Sequence, residues 1–312
     1  MSFPTHKQEL EFLEKLGFPT NPYNTEADTL EEVWEIASKI DKEKSDLAYP
    51  IDGLVVKLND NDLVEKLGVV GKTPRGWCAI KFKAQEVTTK IVGITWQVGR
   101  TGRVTPVADL EAVEVGGTTV KRATLHNFKE FCDKDMCFND TLVIRKAGEI
   151  IPEVVNVLEN LRLENHPHPK LPYPRLCPSC DTELKKSSTD IDLVCPNQEH
   201  CPAQVVGRLS YFCQRNIGNI TGLSEKQIEK FVEKFGMSDI PDIFDLPFEE
   251  IQTMEGFGKK SIENLQLSIN KAREIPDYRF LAGLGIEGIG VENAKLICEK
   301  LWSVTGEEFG IR

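Results

Sequence analysis

Between Trp96 and Asn127 the chain reads WQVGRTGRVTPVADLEAVEVGGTTVKRATLHN, with Val104, Val107, Leu110, Val113 and Val115 set among polar residues and glycines at 99, 102, 116 and 117. Short alternating runs broken by glycine turns predict strands joined by tight hairpins, closing into a small barrel around an apolar interior. Arg100, Arg103, Lys121 and Arg122 fall between the apolar positions. A basic outer face of that kind suits a nucleic-acid backbone, and solvated arginines on an ordinary barrel give the same pattern.

The remaining chain divides by pattern into four expected domains: 1–86, the barrel 87–172, 173–203 and 204–312. Helical periodicity predicts helices over Lys7–Leu16 and Leu30–Ile40, separated by the turn FPTNPYNTEAD, and Thr29 followed by Glu32 reads as a capping box. YPIDGLVVKLND then gives a β-forming run ending on Lys57, and TPRGWCAIKFKA gives a second carrying Lys81 and Lys83. Two lysines on neighbouring strands, beside the Asp52–Gly53 turn, can converge on a phosphate as compact charges; lysines at strand ends are also commonly just solvated. Past the barrel's first strands, NDTLVIRKAGEIIPEVVNVLE alternates Thr141, Val143 and Arg145 with Leu142, Ile144 and Lys146, placing Arg145 and Lys146 beside Gly148. NHPHPKLPYPRL reads as a linker, with His166 and His168 as solvated residues.

A hydrophobic fraction of 40% and a charged fraction of 28% describe a soluble globular chain. No apolar run approaches the roughly 18 residues of a membrane span. The start lacks the pattern of a secretory leader, so a cytoplasmic location is expected. The net charge of −11 argues against a general polyanion binder, leaving local basic patches as the means of holding phosphate. Nine cysteines, an odd number, do not suggest a disulfide framework.

Four of those cysteines carry the most specific signal. CPSC, fourteen residues, then CPNQEHC place Cys177, Cys180, Cys195 and Cys201 in two short knuckles, the set a tetrahedral structural zinc ion takes. His200 is a competing ligand in the wider second knuckle. The segment is too short for a core of its own, so the metal is expected to fix its shape. Cys78, Cys132, Cys137, Cys213 and Cys298 lack paired spacing and read as ordinary thiols.

Residues 204–312 repeat a helix, a glycine-bearing hairpin and a second helix in ITGLSEKQIEKFVEKF, MEGFGKKSIENLQLSI and IEGIGVENAKLICEKL. Gly256-Phe257-Gly258 and Gly288-Ile289-Gly290 are intact, whereas the first copy has Ser224 in place of its second glycine. Such helix-hairpin-helix units let backbone N–H groups at a helix start approach a DNA phosphate, with Lys259 and Lys260 adding charge at the second. Protein-binding versions of the same unit exist.

Taken together, QVGRTG, TPVA, VGG and ATLHN resemble the OB domain of bacterial NAD-dependent DNA ligases, and the resemblance covers essentially the whole chain. IDGLVVK is similar to the family's fourth nucleotidyltransferase motif and WCAIKFKA to its fifth, with Lys83 where proline is usual. The resemblance implies a multidomain α+β chain: the end of a nucleotidyltransferase (adenylation) domain, an OB-fold barrel, a four-cysteine zinc finger and an all-α helix-hairpin-helix domain. It implies that Lys57 and Lys81 hold the adenylate phosphate and nucleotide, that Asp52 lies near metal and phosphate, and that Arg100, Arg103, Arg145, Lys146, Gly256, Gly258, Lys259, Gly288 and Gly290 meet DNA. Arg75 falls in the segment leading into the fifth motif. The family carries four hairpin copies; three are evident here.

The family's nucleophile is the lysine of a K-x-D-G motif, which attacks the adenylyl phosphorus of NAD. The one Asp-Gly pair here, Asp52–Gly53, has Pro50 in the lysine slot. The N-terminal NAD-capturing domain and early adenylation motifs are not seen. The expectation is therefore a C-terminal portion or subunit of an NAD-dependent DNA ligase, with structural Zn2+, NAD and Mg2+ in the complete enzyme. Nicked duplex DNA and a second subunit bearing the lysine are the expected partners. A nick-binding accessory protein without catalysis, or a truncated product, are the alternatives.

Overall fold

The computed structural model describes residues 3–71, 73–147, 151–162 and 167–305. Contacts divide the chain into two units, residues 1–85 with 146–151 and residues 86–145 with 152–312.

The first unit opens with α1 (His6–Lys15), capped by Thr5, whose hydroxyl accepts from Gln8 N. α2 (Leu30–Glu43) starts at Thr29, which accepts from Glu32 N at 3.2 Å. The reciprocal half of the expected capping box is not formed, because the Glu32 carboxylate accepts from Asp28 N at 2.7 Å instead. β1 (Gly53–Lys57) leads through α3 (Asn61–Leu67) and the ribbon of β2 (Val69–Val70) with β3 (Thr73–Pro74) to β4 (Trp77–Lys81). β1 and β4 pair antiparallel, with Gly53 opposite Lys81 and Lys57 opposite Trp77. Glycine is required at 53: a methyl there would sit 2.4 Å from the Ile80 carbonyl oxygen. Among the described residues of 1–85 Ala37 alone is buried, while Leu30, Trp34 and Val55 are more than half exposed.

The second unit contains the barrel. β5 (Glu86–Val98), β6 (Arg103–Val115) and β7 (Thr118–Thr124) precede α4 (Phe128–Asp133), β8 (Thr141–Ala147) and β9 (Ile151–Val157). The strand order β6-β5-β8-β9-β7, with β7 returning to β6, closes five strands. Ile91, Val104, Leu125, Leu142 and Ile144 are fully buried inside; alanine at such positions costs about 2–5 kcal/mol. Val107 is only half-buried: the inward set on β6 is Val104, Pro106, Ala108 and Leu110. A register shift between Asp109 and Val113 then resets the phase, so the apolar spacing of the sequence was not strictly period two. Lys146 shares the inward phase of Leu142 and Ile144 and is 8% exposed.

β10 (Lys185–Lys186) and β11 (Leu193–Val194) form a short hairpin that continues the barrel sheet, Leu193 pairing with Val104 and Val194 with Arg103. The helices follow: α5 (Pro202–Cys213), α6 (Glu225–Phe235), α7 (Phe248–Ile251), α8 (Lys259–Ala272), α9 (Asp277–Gly283) and α10 (Val291–Thr305). They enclose a second core around Phe212, Ile228, Phe231, Ile243, Ile251 and Leu265. Among the described residues no helix is long and apolar enough to cross a membrane.

Candidate functional site

On the β1–β4 ribbon, directly opposed residues share a face and so do alternate residues along a strand. Lys57 and Lys81 therefore project from the same face but from opposite ends, four register positions apart, roughly 13 Å along the strands. They do not meet at one point. Lys81 donates to Asp52, and that bond holds the Asp52 carboxyl below its usual range. Lys57 lies 4.3 Å over the ring of Trp77 and 3.3 Å from His6 Nε2. Asp52 and Lys81 are thus one exposed pair, and Lys57 with Trp77 and His6 a second cluster.

The two intact hairpins share one construction. Phe257 is buried and Ile289 packs against the helical core, while the glycines flanking each are exposed. The apolar residue pins the loop and turns the glycine backbone outward. Gly256 and Gly288 adopt φ of +91° and +79°, conformations that favour glycine. A methyl on Gly256, Gly258, Gly288 or Gly290 would meet nothing within 4 Å, so open space lies over each loop. α8 begins at Gly258 with no side-chain cap, which leaves its first N–H groups available. Lys259 and Lys260 are exposed beside it.

The first copy, with Ser224 in place of its second glycine, is built differently. Ser224 and Gln227 form a capping box, with Ser224 N donating to Gln227 Oε1 at 2.7 Å. The start of α6 is satisfied by its own side chains, and Thr221 N donates to Ser268 Oγ at 2.8 Å.

The cations expected on the barrel are variously engaged. Arg103 is exposed, with Nε 3.3 Å from the buried Asp192 carboxylate. Arg145 Nε donates to Glu153 at 2.6 Å, which holds the Glu153 carboxyl below its usual value against the opposing effect of burial. Lys146 is buried. Arg100 is committed differently: its guanidinium carbon lies 3.9 Å from the centre of the Tyr211 ring. A methyl built on Gly207 of α5 would come within 2.9 Å of Arg100 Cα, and one on Gly285 within 3.1 Å of an Arg100 guanidinium nitrogen. The loop after β5 is seated on α5 and beside the third hairpin.

The four predicted zinc ligands come together. Cys177, Cys180, Cys195 and Cys201 place their Sγ atoms within 4.8 Å of one another, with 3.9 Å between Cys177 and Cys201 and 3.5 Å between Cys180 and Cys195. A tetrahedron of thiolates at the zinc–sulfur distance of about 2.3 Å has edges of about 3.8 Å, so the donor set fits a structural Zn2+. His200 is excluded as a ligand: its side chain is 82% exposed and points to Glu199. Second-layer bonds fix the knuckles. Cys195 N donates to Gly102 O at 2.8 Å, and the fully buried Gln204 donates Nε2 to both Cys195 O and Asn197 O at 3.1 Å. Gly102, at φ +80°, has Cys195 O only 2.5 Å from the position of an added methyl. His166 lies outside the described residues.

Sequence reasoning missed His6, Trp77, Gln204, Gly207 and Tyr211. The last three recur at helical spacing on α5, a stripe along one side of the helix that marks a packed seam.

Family models match three stretches of the chain. These are the NAD-dependent DNA ligase adenylation domain over residues 1–85, the NAD-dependent DNA ligase OB-fold domain over 88–166, and the NAD-dependent DNA ligase C4 zinc finger domain over 177–203. A DNA ligase of Bacillus subtilis is 42% identical over 297 residues, covering 95% of this chain and 44% of the relative. One of Bacillus licheniformis is 41% identical over 314 residues, with 99% and 47% covered, and one of Pediococcus pentosaceus 40% identical over 313, with 98% and 46% covered. The chain spans a little under half the length of these curated relatives.

Proposed function

Because the chain belongs to the NAD-dependent DNA ligase family, we propose that it grips nicked duplex DNA and steadies the adenylyl phosphate, while the amine that takes up AMP lies outside these 312 residues. The observation that carries this reading is the pairing, in one chain, of a ribbon face bearing Lys57 and Lys81, with Asp52 bonded to Lys81, and two open glycine hairpins, the second-copy one uncapped. A protein that only bound DNA would have no use for the ribbon.

On this reading the Lys57 and Lys81 ammoniums offset the charge that develops on the adenylyl phosphate, from preset positions on one face. Their separation suits a nucleotide lying along the ribbon better than a single phosphate between them. NAD supplies the adenylyl group, and Mg2+ supplies further charge compensation when bound. Asp52 is the hard oxygen donor on this face, suited to that ion. The hairpins at Gly256–Gly258 and Gly288–Gly290 take successive backbone phosphates through their N–H groups, so binding is independent of sequence. Lys259 adds charge at the second hairpin, Arg100 beside the third, and Arg103 and Arg145 exchange carboxylate partners for phosphates. Lys146 serves from below, bracing its strand. The zinc segment and hairpins clamp the minor-groove side.

Two features support a donor of the nucleophile elsewhere. No Lys-x-Asp-Gly sequence occurs in these 312 residues, the single Asp-Gly pair, Asp52–Gly53, being preceded by Pro50-Ile51. The ribbon and helices of the first unit leave Leu30, Trp34, Val55 and Trp77 exposed, apolar surface that suits a covering partner. The complete assembly then seals 5′-phosphate and 3′-hydroxyl ends through enzyme-adenylate and DNA-adenylate.

The test is incubation with NAD labelled in its adenylyl group, with the chain alone and with candidate partners. Label on a partner, passed to nicked DNA and lost from that transfer in Lys57→Ala, supports the proposal. Label on the isolated chain overturns it. Nick binding without sealing in any combination selects a catalytically inactive accessory protein instead.

A further inference from the structure

The contacts of Lys57 extend beyond the ribbon. Thr5 caps α1 and so places His6 at its first position, and His6 N donates to Asn59 O at 2.8 Å, tying the helix start to the segment after β1. His6 Nδ1 lies 2.8 Å from Glu9 Oε2, and Glu9 Oε1 accepts from Asn61 Nδ2 at 2.9 Å. Asn61 Nδ2 also donates to Phe3 O at 2.8 Å, which fixes the amide. On its other side, His6 Nε2 faces Lys57 Nζ at 3.3 Å.

Donor and acceptor chemistry selects one form of this ring. A carboxylate only accepts and an ammonium only donates. Nδ1 must therefore carry the proton given to Glu9, and Nε2 must present the lone pair that takes a proton from Lys57. An imidazolium would set two donors of like charge 3.3 Å apart. Glu9 calls for a proton on Nδ1 and Lys57 for a lone pair on Nε2, and the neutral Nδ1–H ring is the form that meets both. With one N–H taken by His6 and the ammonium laid over Trp77 at 4.3 Å, Lys57 loses most of its rotamer freedom. The helix side chain decides where the strand's charge is delivered.

We infer that His6, oriented by Glu9, is a positioning residue for Lys57 in adenylyl transfer. His6 touches neither nucleotide nor DNA on this account. The inference rests on the reading of Lys57 as a ligand of the adenylyl phosphate. Removing His6 leaves the charge in place but unaimed, and misplacement by about 1 Å costs up to about a hundredfold in rate.

Two measurements on the 312-residue chain test it. The first is long-range 1H–15N correlation of histidine side chains, with His6 identified among five histidines by its loss in His6→Gln. The expected pattern is the Nδ1–H tautomer, with Nε2 shifting in Lys57→Ala and the tautomer preference lost in Glu9→Gln. An Nε2–H tautomer, or an Nε2 resonance that ignores Lys57→Ala, overturns the inference. The second is single-turnover sealing of a 5′-adenylated nick with Mg2+. His6→Ala is expected to slow sealing about tenfold or more at unchanged nick affinity and melting temperature, with rescue by His6→Gln, whose amide oxygen also accepts. Wild-type rate in His6→Ala beside a slow Lys57→Ala overturns the inference alone. Wild-type rate in Lys57→Ala overturns the reading of Lys57 and the inference with it.

Discussion

The guanidinium of Arg100, in the loop between two barrel strands, lies 3.9 Å from the ring centre of Tyr211 on the first helix of the helical core. Gly207, one turn before Tyr211, provides the clearance: an added methyl would sit 2.8 Å from Arg100 Cβ. The contact joins the barrel to the hairpin helices through a residue that sequence patterning assigned to phosphate.

Gly207→Ala is expected to destabilise the chain by about 1–3 kcal/mol, the cost of overpacking, by urea unfolding. Tyr211→Phe, which keeps the ring face, should stay within about 0.5 kcal/mol of wild type. Tyr211→Ala should lose at least the roughly 1 kcal/mol of the stacked cation in addition to its packing.

Zinc analysis should return one ion per chain. Cys195→Ser or metal chelation is expected to lower stability by about 3 kcal/mol or more, a fraction of the 10–16 kcal/mol that zinc-finger peptides gain from metal. Hydrogen exchange should quicken first at Leu193 and Val194, which are bonded to the barrel's β6, and at Cys195, which donates to Gly102. His200→Ala should leave zinc content unchanged.

The hairpins give a split between affinity and stability. Gly258→Leu fills the open space above the second loop and is expected to weaken nicked-duplex binding about tenfold, near 1.4 kcal/mol, with little change in melting temperature. The slope of affinity against salt should fall by about one unit in Lys259→Ala. Ser224→Ala should do the reverse of Gly258→Leu, costing about 1 kcal/mol of stability through the lost cap without altering affinity.

Arg162 grips the buried Asp140 with Nε and Nη2 at 2.8 and 2.6 Å, and Cys137 N adds a third bond at 2.7 Å. Burial pushes the Asp140 carboxyl up, and these bonds more than offset it, leaving it below its ordinary value. Arg162→Met strands the carboxylate and should cost about 3 kcal/mol near neutral pH. Because the folded pKa is depressed, the stabilisation is complete above the unfolded value of about 3.9 and is lost as pH falls through the folded one. The gap between wild type and variant should be flat from pH 6 to 8 and close below about pH 4.

Local chemistry was legible in the sequence and distance was not. Glycine hairpins, paired cysteines and alternating strands each declare themselves within a few residues, because φ > 0, thiolate spacing and the β period are local constraints. Ser224 marked the first copy as different, and the capping box it forms with Gln227 came only with the structure. Register is what pattern could not supply. Two lysines on neighbouring strands can converge on a phosphate or stand apart, and the pairing sets Lys57 and Lys81 at opposite ends of one face. Val107 was expected inside, and the interior phase of β6 runs through its neighbours, with a register shift further on. His6 is separated from Lys57 by 51 residues, and a histidine opening an acidic helix carries no mark of a partner so far along the chain.

Sealing of a 5′-adenylated nick in duplex DNA by the 312-residue chain with Mg2+ is the decisive measurement, since that substrate already carries the AMP that the chain does not acquire for itself on the proposed function. The wild type is expected to form the phosphodiester, slowed at least about a hundredfold in Lys57→Ala and in Lys81→Ala, with nick affinity unchanged. A wild-type chain that binds the adenylated nick and releases it unsealed, or lysine variants that seal as fast as the wild type, would contradict the proposed function.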